Sequence, residues 1–322
     1  MARYHFPTEW QKHGSTSETV PMPFVEASAY CQWMAKSQYE NFVVGSLLLP
    51  RELQSHFFHI YAFCRWADDL GDELVHAPAS LDALQWWRAS LEAMYAGNTP
   101  QHPILIALQP TVRTFDLPID PFLRLISAFE QDQRVTRYQT FAELLDYCTR
   151  SANPVGELVL RLFRQASPEN IALSDEVCTG LQLANFWQDV RRDFDKGRIY
   201  LPREDLERFG CLFPSPLEGE GLGVRGQLGE SPTLKSFPEL IRFQVERTAG
   251  YFQRGRSLIL NLPNEYQSEI DLIIRGGEEL LARIAAVGYD TWTTRPRLSK
   301  WTQANLLLAA LWRRYWRPRS VR

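Results

Sequence analysis

Apolar side chains in this chain recur at intervals of three and four residues, and no segment alternates apolar and polar residues convincingly. That pattern restricts the fold more than any other feature, because a period near 3.6 buries one face of a helix whereas a strand needs a period of two. The clearest case follows Pro50, whose fixed φ suits the first turn of a helix. Leu53, Phe57, Ile60, Tyr61, Cys64 and Ala67 then lie on one side of a helix reaching about Glu73. The same spacing predicts helices over about 24–38, 80–96, 102–115, 120–132, 140–150, 155–166, 174–195, 203–209, 238–261, 267–287 and 299–316. Proline punctuation such as Ala77-Pro78 and Leu117-Pro118 marks short connections between them. The 322 residues, 45% of them hydrophobic, suffice for a large core. The expectation is an all-α protein, a single helical domain over residues 1–322.

Two segments depart from this economy. Residues 214–232 are rich in Gly and Pro without apolar period, which predicts a flexible surface insertion, a tolerated loop more readily than a lid. The apolar run Leu306-Leu307-Leu308-Ala309-Ala310-Leu311-Trp312 leads into a tail, 313–322, with five Arg. Two readings stand for it: a last core helix with a solvated basic end, or peripheral contact with an anionic membrane surface.

Composition removes several function classes. A formal charge of −3 gives no basic footprint for nucleic acid. The N-terminal residues lack the apolar run of a signal peptide, and no stretch approaches the roughly 20 apolar residues of a membrane span, so a cytoplasmic location is expected. Cys31, Cys64, Cys148, Cys178 and Cys211 are odd in number and show no CxxC spacing, as reduced thiols would. The six His are scattered and offer no zinc set. Ten Trp, 12 Tyr and 18 Phe imply aromatic core packing first, and an aromatic-lined apolar pocket second.

The chemistry lies in two acidic stripes. On the first helix Tyr61, Arg65, Asp68 and Asp72 follow at spacings of 4, 3 and 4, with Asp69 and Glu73 beside them. On the second, Leu181, Asn185, Asp189 and Asp193 follow at 4, 4 and 4. Residues so spaced share a helix face, where like charges repel, so the helix itself gains nothing from them. Two such stripes facing each other would make a cage of hard oxygen ligands suited to Mg²⁺ and substrate phosphates. The candidate ligands are Asp68, Asp69 and Asp72 on one side and Asn185, Asp189 and Asp193 on the other. Arg65 would contact phosphate oxygens directly, and together these groups would draw charge off a departing diphosphate.

These motifs resemble the squalene/phytoene synthase family, the head-to-head isoprenoid synthases. The matching pieces are Ile60-Tyr61-Ala62-Phe63-Cys64-Arg65 leading into Asp68 and Asp72, and Tyr147-Cys148 leading to Val155-Gly156-Glu157. A third piece runs from Leu181-Gln182-Leu183-Ala184-Asn185 through Asp189 and Asp193 to Arg198-Ile199-Tyr200-Leu201-Pro202. The resemblance spans about residues 25–315, apart from the insertion. It implies the all-α isoprenoid-synthase fold, with an apolar central cavity whose walls do not quench a carbocation and whose aromatic faces stabilise it. It also implies that Tyr147 lies near the departing diphosphate and that Arg295 contacts phosphate.

Departures from the family pattern point to one branch. Where condensing members carry a Lys-containing phosphate-binding stretch, this chain has Ser37-Gln38-Tyr39-Glu40-Asn41-Phe42. Ser151-Ala152-Asn153-Pro154-Val155-Gly156 is altered, Gln188 replaces a usual Arg, and a usual late Tyr is replaced by Gly near Gly276-Gly277. These features are similar to the hydroxysqualene synthases of bacterial hopanoid biosynthesis. That branch ionises presqualene diphosphate supplied by a partner synthase and lets water capture the rearranged cation, with Mg²⁺ and without NADPH. Asn153 is then the candidate for positioning the water. The alternatives are a condensing squalene or phytoene synthase joining two prenyl diphosphates, or an inactive relative serving as a binding or assembly factor. A lipid substrate would favour peripheral contact at the inner face of the cytoplasmic membrane.

Overall fold

The computed structural model describes residues 3–17, 22–37, 48–74, 77–213 and 236–299. Glu40, the 214–232 insertion, the expected 299–316 helix and the 313–322 tail lie wholly or almost wholly outside the described residues. The chain divides into two compact units, Met1–Arg134 with Pro154–Ser167, and Val135–Asn153 with Pro168–Arg322.

In the first unit the long helix α3 (Arg51–Asp72) packs against α2 (Phe24–Ser37), α4 (Ala77–Tyr95), α5 (Pro103–Phe115) and α6 (Asp120–Asp132). Contact with four neighbours explains why α3 is apolar around most of its circumference, with buried residues from Leu53 to Gly71. Phe63 stacks on Trp87 with ring centroids 5.3 Å apart, and Phe122 meets Phe63 edge-on at 4.9 Å. Trp66, Trp87 and Phe122 are fully buried, so these aromatics build core. His102 lies among them, its Nδ1 accepting the Ile104 N–H at the start of α5, and burial holds its pKa well below the usual imidazole value.

One helix was not anticipated. Helix α1 (Phe6–His13) begins with Pro7 in its first turn and seats Phe6 against Trp66 at 5.3 Å. Just ahead of it, Tyr4 is buried and packs edge-on against Trp33 at 5.8 Å.

The second unit is built on α9 (Pro168–Gln188), which packs against α7 (Phe141–Ser151), α12 (Phe237–Gly255) and α14 (Asn264–Ala286). Thr140 caps α7 by accepting the Glu143 N–H at 3.2 Å, while Glu143 Oε2 accepts the Gln139 N–H. Phe252 of α12 occupies a slot between two glycines. A Cβ at Gly277 would lie 2.3 Å from its ring, and one at Gly180 would lie 3.0 Å away. Gly277 therefore has a packing reason: any side chain there displaces a fully buried Phe.

The shorter elements are α8 (Asn153–Leu162), α10 (Val190–Asp195), α11 (Arg203–Arg208) and α13 (Leu258–Asn261). The expected 174–195 helix starts earlier, at Pro168, and is interrupted at Asp189; the expected 238–261 helix divides into α12 and α13. Among the described residues the strand-like features are isolated, as in the parallel bridge between Arg137 and Ile199. No described helix is long and apolar enough to cross a membrane.

Candidate active site

Helix α3 ends in carboxylates. Asp68, Asp69, Asp72 and Glu73 crowd its last turn, which has no basic residue. The C-terminal end of a helix carries partial negative charge, so this placement opposes stability and asks for a cation. Asp72 is exposed, and the Asp68 side chain is 43% exposed. Asp69 behaves differently from the third ligand expected on this stripe. One residue further along, it is rotated by about 100° and points into the core at 1% exposure. Its Oδ2 accepts the Tyr4 hydroxyl at 2.7 Å and Arg65 Nε at 3.2 Å, and its Oδ1 accepts Arg65 Nη2 at 2.6 Å. Burial pushes Asp69 up to about 6, against the pull of Arg65 and the Tyr4 hydroxyl. Arg65 Nη1 lies 3.5 Å from Asp68, so one guanidinium joins the buried carboxylate to the exposed one.

In the second unit, α9 stops at Gln188 and Asp189 takes a non-helical conformation before α10 resumes. The i→i−4 bonds nonetheless continue: the Asp189 N–H donates to Asn185 at 3.0 Å, and the Asp193 N–H donates to Asp189 at 2.9 Å. The stripe Asn185, Asp189, Asp193 thus survives the break. Asn185 is exposed and Asp189 is 18% exposed. Burial, reinforced by the charge of Asp189, pushes Asp193 up to about 7, while Arg198, Lys196 and Arg192 pull it down. Asp193, raised by burial and by the charge of Asp189, with that carboxylate and the amide oxygen of Asn185 in line, fits a divalent cation that prefers hard oxygen donors. Among the described residues no three His, Cys, Asp or Glu side chains form a closed metal cluster. A metal held here would therefore complete its shell with water and substrate oxygens, the usual habit of Mg²⁺.

Arg295 comes directly onto this stripe. Its Nη2 donates to Asp189 Oδ2 at 3.0 Å and its Nε to Oδ1, a bidentate pair. The Arg295 segment is fastened on either side, by Gln188 Nε2 donating to the Pro296 carbonyl at 2.5 Å and by Trp292 packing on Phe194 at 5.0 Å. Gln188, which departs from the usual Arg, secures the segment that carries Arg295.

Tyr147 is buried in an aromatic group with Tyr138, Phe186 and Tyr200. Phe186 and Tyr200 stack with centroids 3.9 Å apart and planes within 13°. A recess of about 10 Å³, room for one water, is lined by Phe186, Asp193, Arg198 and Tyr200. Arg198 and Tyr200 were part of a matched motif without a role being assigned to them; the charge of Arg198 on Asp193 and the stack of Tyr200 on Phe186 now supply one each. Asn153 is buried at the junction of α7 and α8, and its Oδ1 accepts the Thr179 hydroxyl at 3.1 Å.

Comparison with known proteins gives consistent matches. The sequence profile of squalene/phytoene synthases matches residues 35–302. The solved structure of squalene synthase HpnC from Alicyclobacillus acidocaldarius is 40% identical, with a TM-score of 0.72 over 84% of this chain and 97% of that one. Phytoene synthase of Mycobacterium bovis is 31% identical over 285 residues, covering 86% of this chain and 88% of its own length. Presqualene diphosphate synthase of Sinorhizobium fredii is 33% identical over 192 residues, 59% of this chain and 68% of its own.

Proposed function

Because this chain belongs to the squalene/phytoene synthase family of enzymes acting on prenyl diphosphates and has its all-α isoprenoid-synthase fold, we propose that it is a hydroxysqualene synthase converting presqualene diphosphate and water to hydroxysqualene and diphosphate. The 40% identity to squalene synthase HpnC along 84% of the chain supports the squalene side of the family, and the observation that carries the hydroxysqualene choice within it is the stretch Ser37-Gln38-Tyr39-Glu40-Asn41-Phe42. Glu40 supports it, since an anion in place of a phosphate-binding cation suits an enzyme that holds one diphosphate rather than two.

Asp68, Asp72, Asn185, Asp189 and Asp193 would hold Mg²⁺, which supplies Lewis-acid neutralisation of the leaving diphosphate. Arg65 and Arg295 add directed hydrogen bonds to its oxygens. Tyr147 donates to the same group as it leaves. Tyr200 is stacked between Phe186 and Tyr138, so the outer face of Phe186 would be the one offered to a carbocation, a contact contributing about 0.5–2 kcal/mol. Asn153, its amide fixed by Thr179, orients the capturing water. No NADPH takes part.

Product analysis by gas chromatography–mass spectrometry tests the branch directly. Protein and Mg²⁺, without NADPH, should yield hydroxysqualene from presqualene diphosphate and leave farnesyl diphosphate untouched. A second reading, a condensing synthase, is favoured by the phytoene synthase relative, whose match extends over 86% of the chain. Consumption of farnesyl or geranylgeranyl diphosphate would establish that reading instead.

The metal assignment has a pH signature. Protons and Mg²⁺ compete for Asp193, whose pKa is about 7. Affinity for Mg²⁺ alone should therefore fall by on the order of tenfold from pH 8 to pH 6, and Asp193→Asn should flatten that profile. Calorimetry at the two pH values reads it, and a flat wild-type profile would remove Asp193 from the ligand set. Stability of the metal-free protein runs the opposite way. The folded-state pKa of about 7 lies above the ordinary 3.8, so the folded chain holds an extra proton between them. This group's contribution then grows as pH falls through 7.

A further inference from the structure

We propose that Tyr4 and Asp69 are positioning residues that hold the Arg65 guanidinium for a diphosphate, which makes the segment ahead of α1 a working part of the active site. The inference rests on the reading that Arg65 contacts diphosphate. Asp69 is fully engaged: Oδ1 takes Arg65 Nη2 at 2.6 Å, and Oδ2 takes Arg65 Nε at 3.2 Å and the Tyr4 hydroxyl at 2.7 Å. At 1% exposure it reaches a metal only by giving up those bonds and leaving the core. What it does instead is fix the plane of the guanidinium. The Nε–Nη2 edge is docked inward, and Nη1 is turned to the exposed carboxylate of Asp68 at 3.5 Å. An arginine ordered before the ligand arrives loses less freedom on binding than one on a free stem.

Tyr4 sets the carboxylate in its turn. It lies 65 residues away in sequence, and its ring is held by Trp33 at 5.8 Å. Two residues on, Phe6 packs on Trp66, the neighbour of Arg65 on α3. Removing only the Tyr4 hydroxyl leaves that packing in place, so Tyr4→Phe isolates the hydrogen bond.

The test is a double-mutant cycle on the full chain, reading affinity for inorganic pyrophosphate with Mg²⁺ by calorimetry, with a thermal melt for each variant. Arg65→Lys should weaken binding about tenfold or more, Asp69→Asn about tenfold, and Tyr4→Phe about threefold. In the Arg65→Lys background, Asp69→Asn and Tyr4→Phe should each cost no more than about a further twofold, since the fork they orient is gone. Equal losses in both backgrounds would overturn the proposal and return Asp69 to an independent role such as metal ligation. Unchanged affinity in Asp69→Asn and Tyr4→Phe, with Arg65→Lys weakened, would overturn positioning while leaving the Arg65 reading intact. Unchanged affinity in Arg65→Lys would overturn both. Should Asp69→Asn fail to fold, Tyr4→Phe alone decides.

Discussion

Asp68→Ala is expected to lower turnover by on the order of 10³-fold or more while leaving the melting temperature unchanged or slightly higher, and Asp189→Ala is expected to lower turnover as far. The size follows from what is lost. A single preorganised donor to a developing anion accounts for about 10²–10³ in rate, and a metal ligand holds a larger charge in place. The sign on stability follows from position. Asp68 is 43% exposed in the last turn of α3, where a carboxylate opposes the helix dipole by about 0.3–1 kcal/mol before solvent screening reduces it. Removing it relieves that opposition. Activity and stability moving apart is what a functional carboxylate does and a structural one does not. Steady-state kinetics on presqualene diphosphate alongside calorimetric melts reads both quantities. Near-normal turnover in either variant would remove the carboxylate stripes from the mechanism, and would favour a protein of this family that binds without catalysing.

The two stripes were legible because they are local. Helical spacing from Pro50 to Asp72 and from Leu181 to Asp193 places their side chains without knowledge of the remaining chain. The interruption at Asp189 was not legible: no Pro or Gly marks it, and the i→i−4 bonds on either side preserve the pattern a continuous helix would show. Asp69 was assigned to the ligands by proximity to Asp68, yet two local signals spoke against it. It sits four residues after Arg65, the spacing of an ion pair, and one residue off the stripe. Its other partner, Tyr4, is 65 residues away and could not be inferred from any window. Arg295 and Asp189 were each identified separately, but their bidentate pairing across 106 residues is tertiary information. The same holds for Phe252, whose slot explains Gly180 and Gly277 together.

The largest stability effect belongs to a residue that the sequence did not flag. Asp205→Ala is expected to destabilise the protein by about 2–4 kcal/mol, read as a shift in urea midpoint at constant slope. Asp205 begins its role just after the Tyr200-Leu201-Pro202 stretch, in helix α11, and is 4% exposed. Its Oδ2 accepts Gln244 Nε2 at 2.8 Å and Arg247 Nη1 at 3.0 Å, and its Oδ1 accepts Arg247 Nη2 at 3.2 Å. Arg247 is in turn held between the rings of Phe141 at 4.0 Å and Phe243 at 4.3 Å. One carboxylate thus ties α11, the start of α7 and the middle of α12 into a single knot. Deleting it strands a guanidinium between two aromatic rings and leaves a fully buried amide without its acceptor, costs that water relieves only in part. Partial exposure of Arg247, at 23%, keeps the figure below that of a wholly buried pair. Arg247→Ala should cost a similar amount, and the double variant less than the sum of the two, because the second deletion removes the charge that the first one strands. Additive losses would show that the two residues act separately. Since Arg203 donates its N–H to the Tyr138 carbonyl at 2.9 Å and Tyr138 stacks on Tyr200 at 5.9 Å, loosening this knot also loosens the aromatic wall around Tyr147. Asp205→Ala should accordingly shift the product spectrum at temperatures well below its melting point, while Asp68→Ala changes the rate alone.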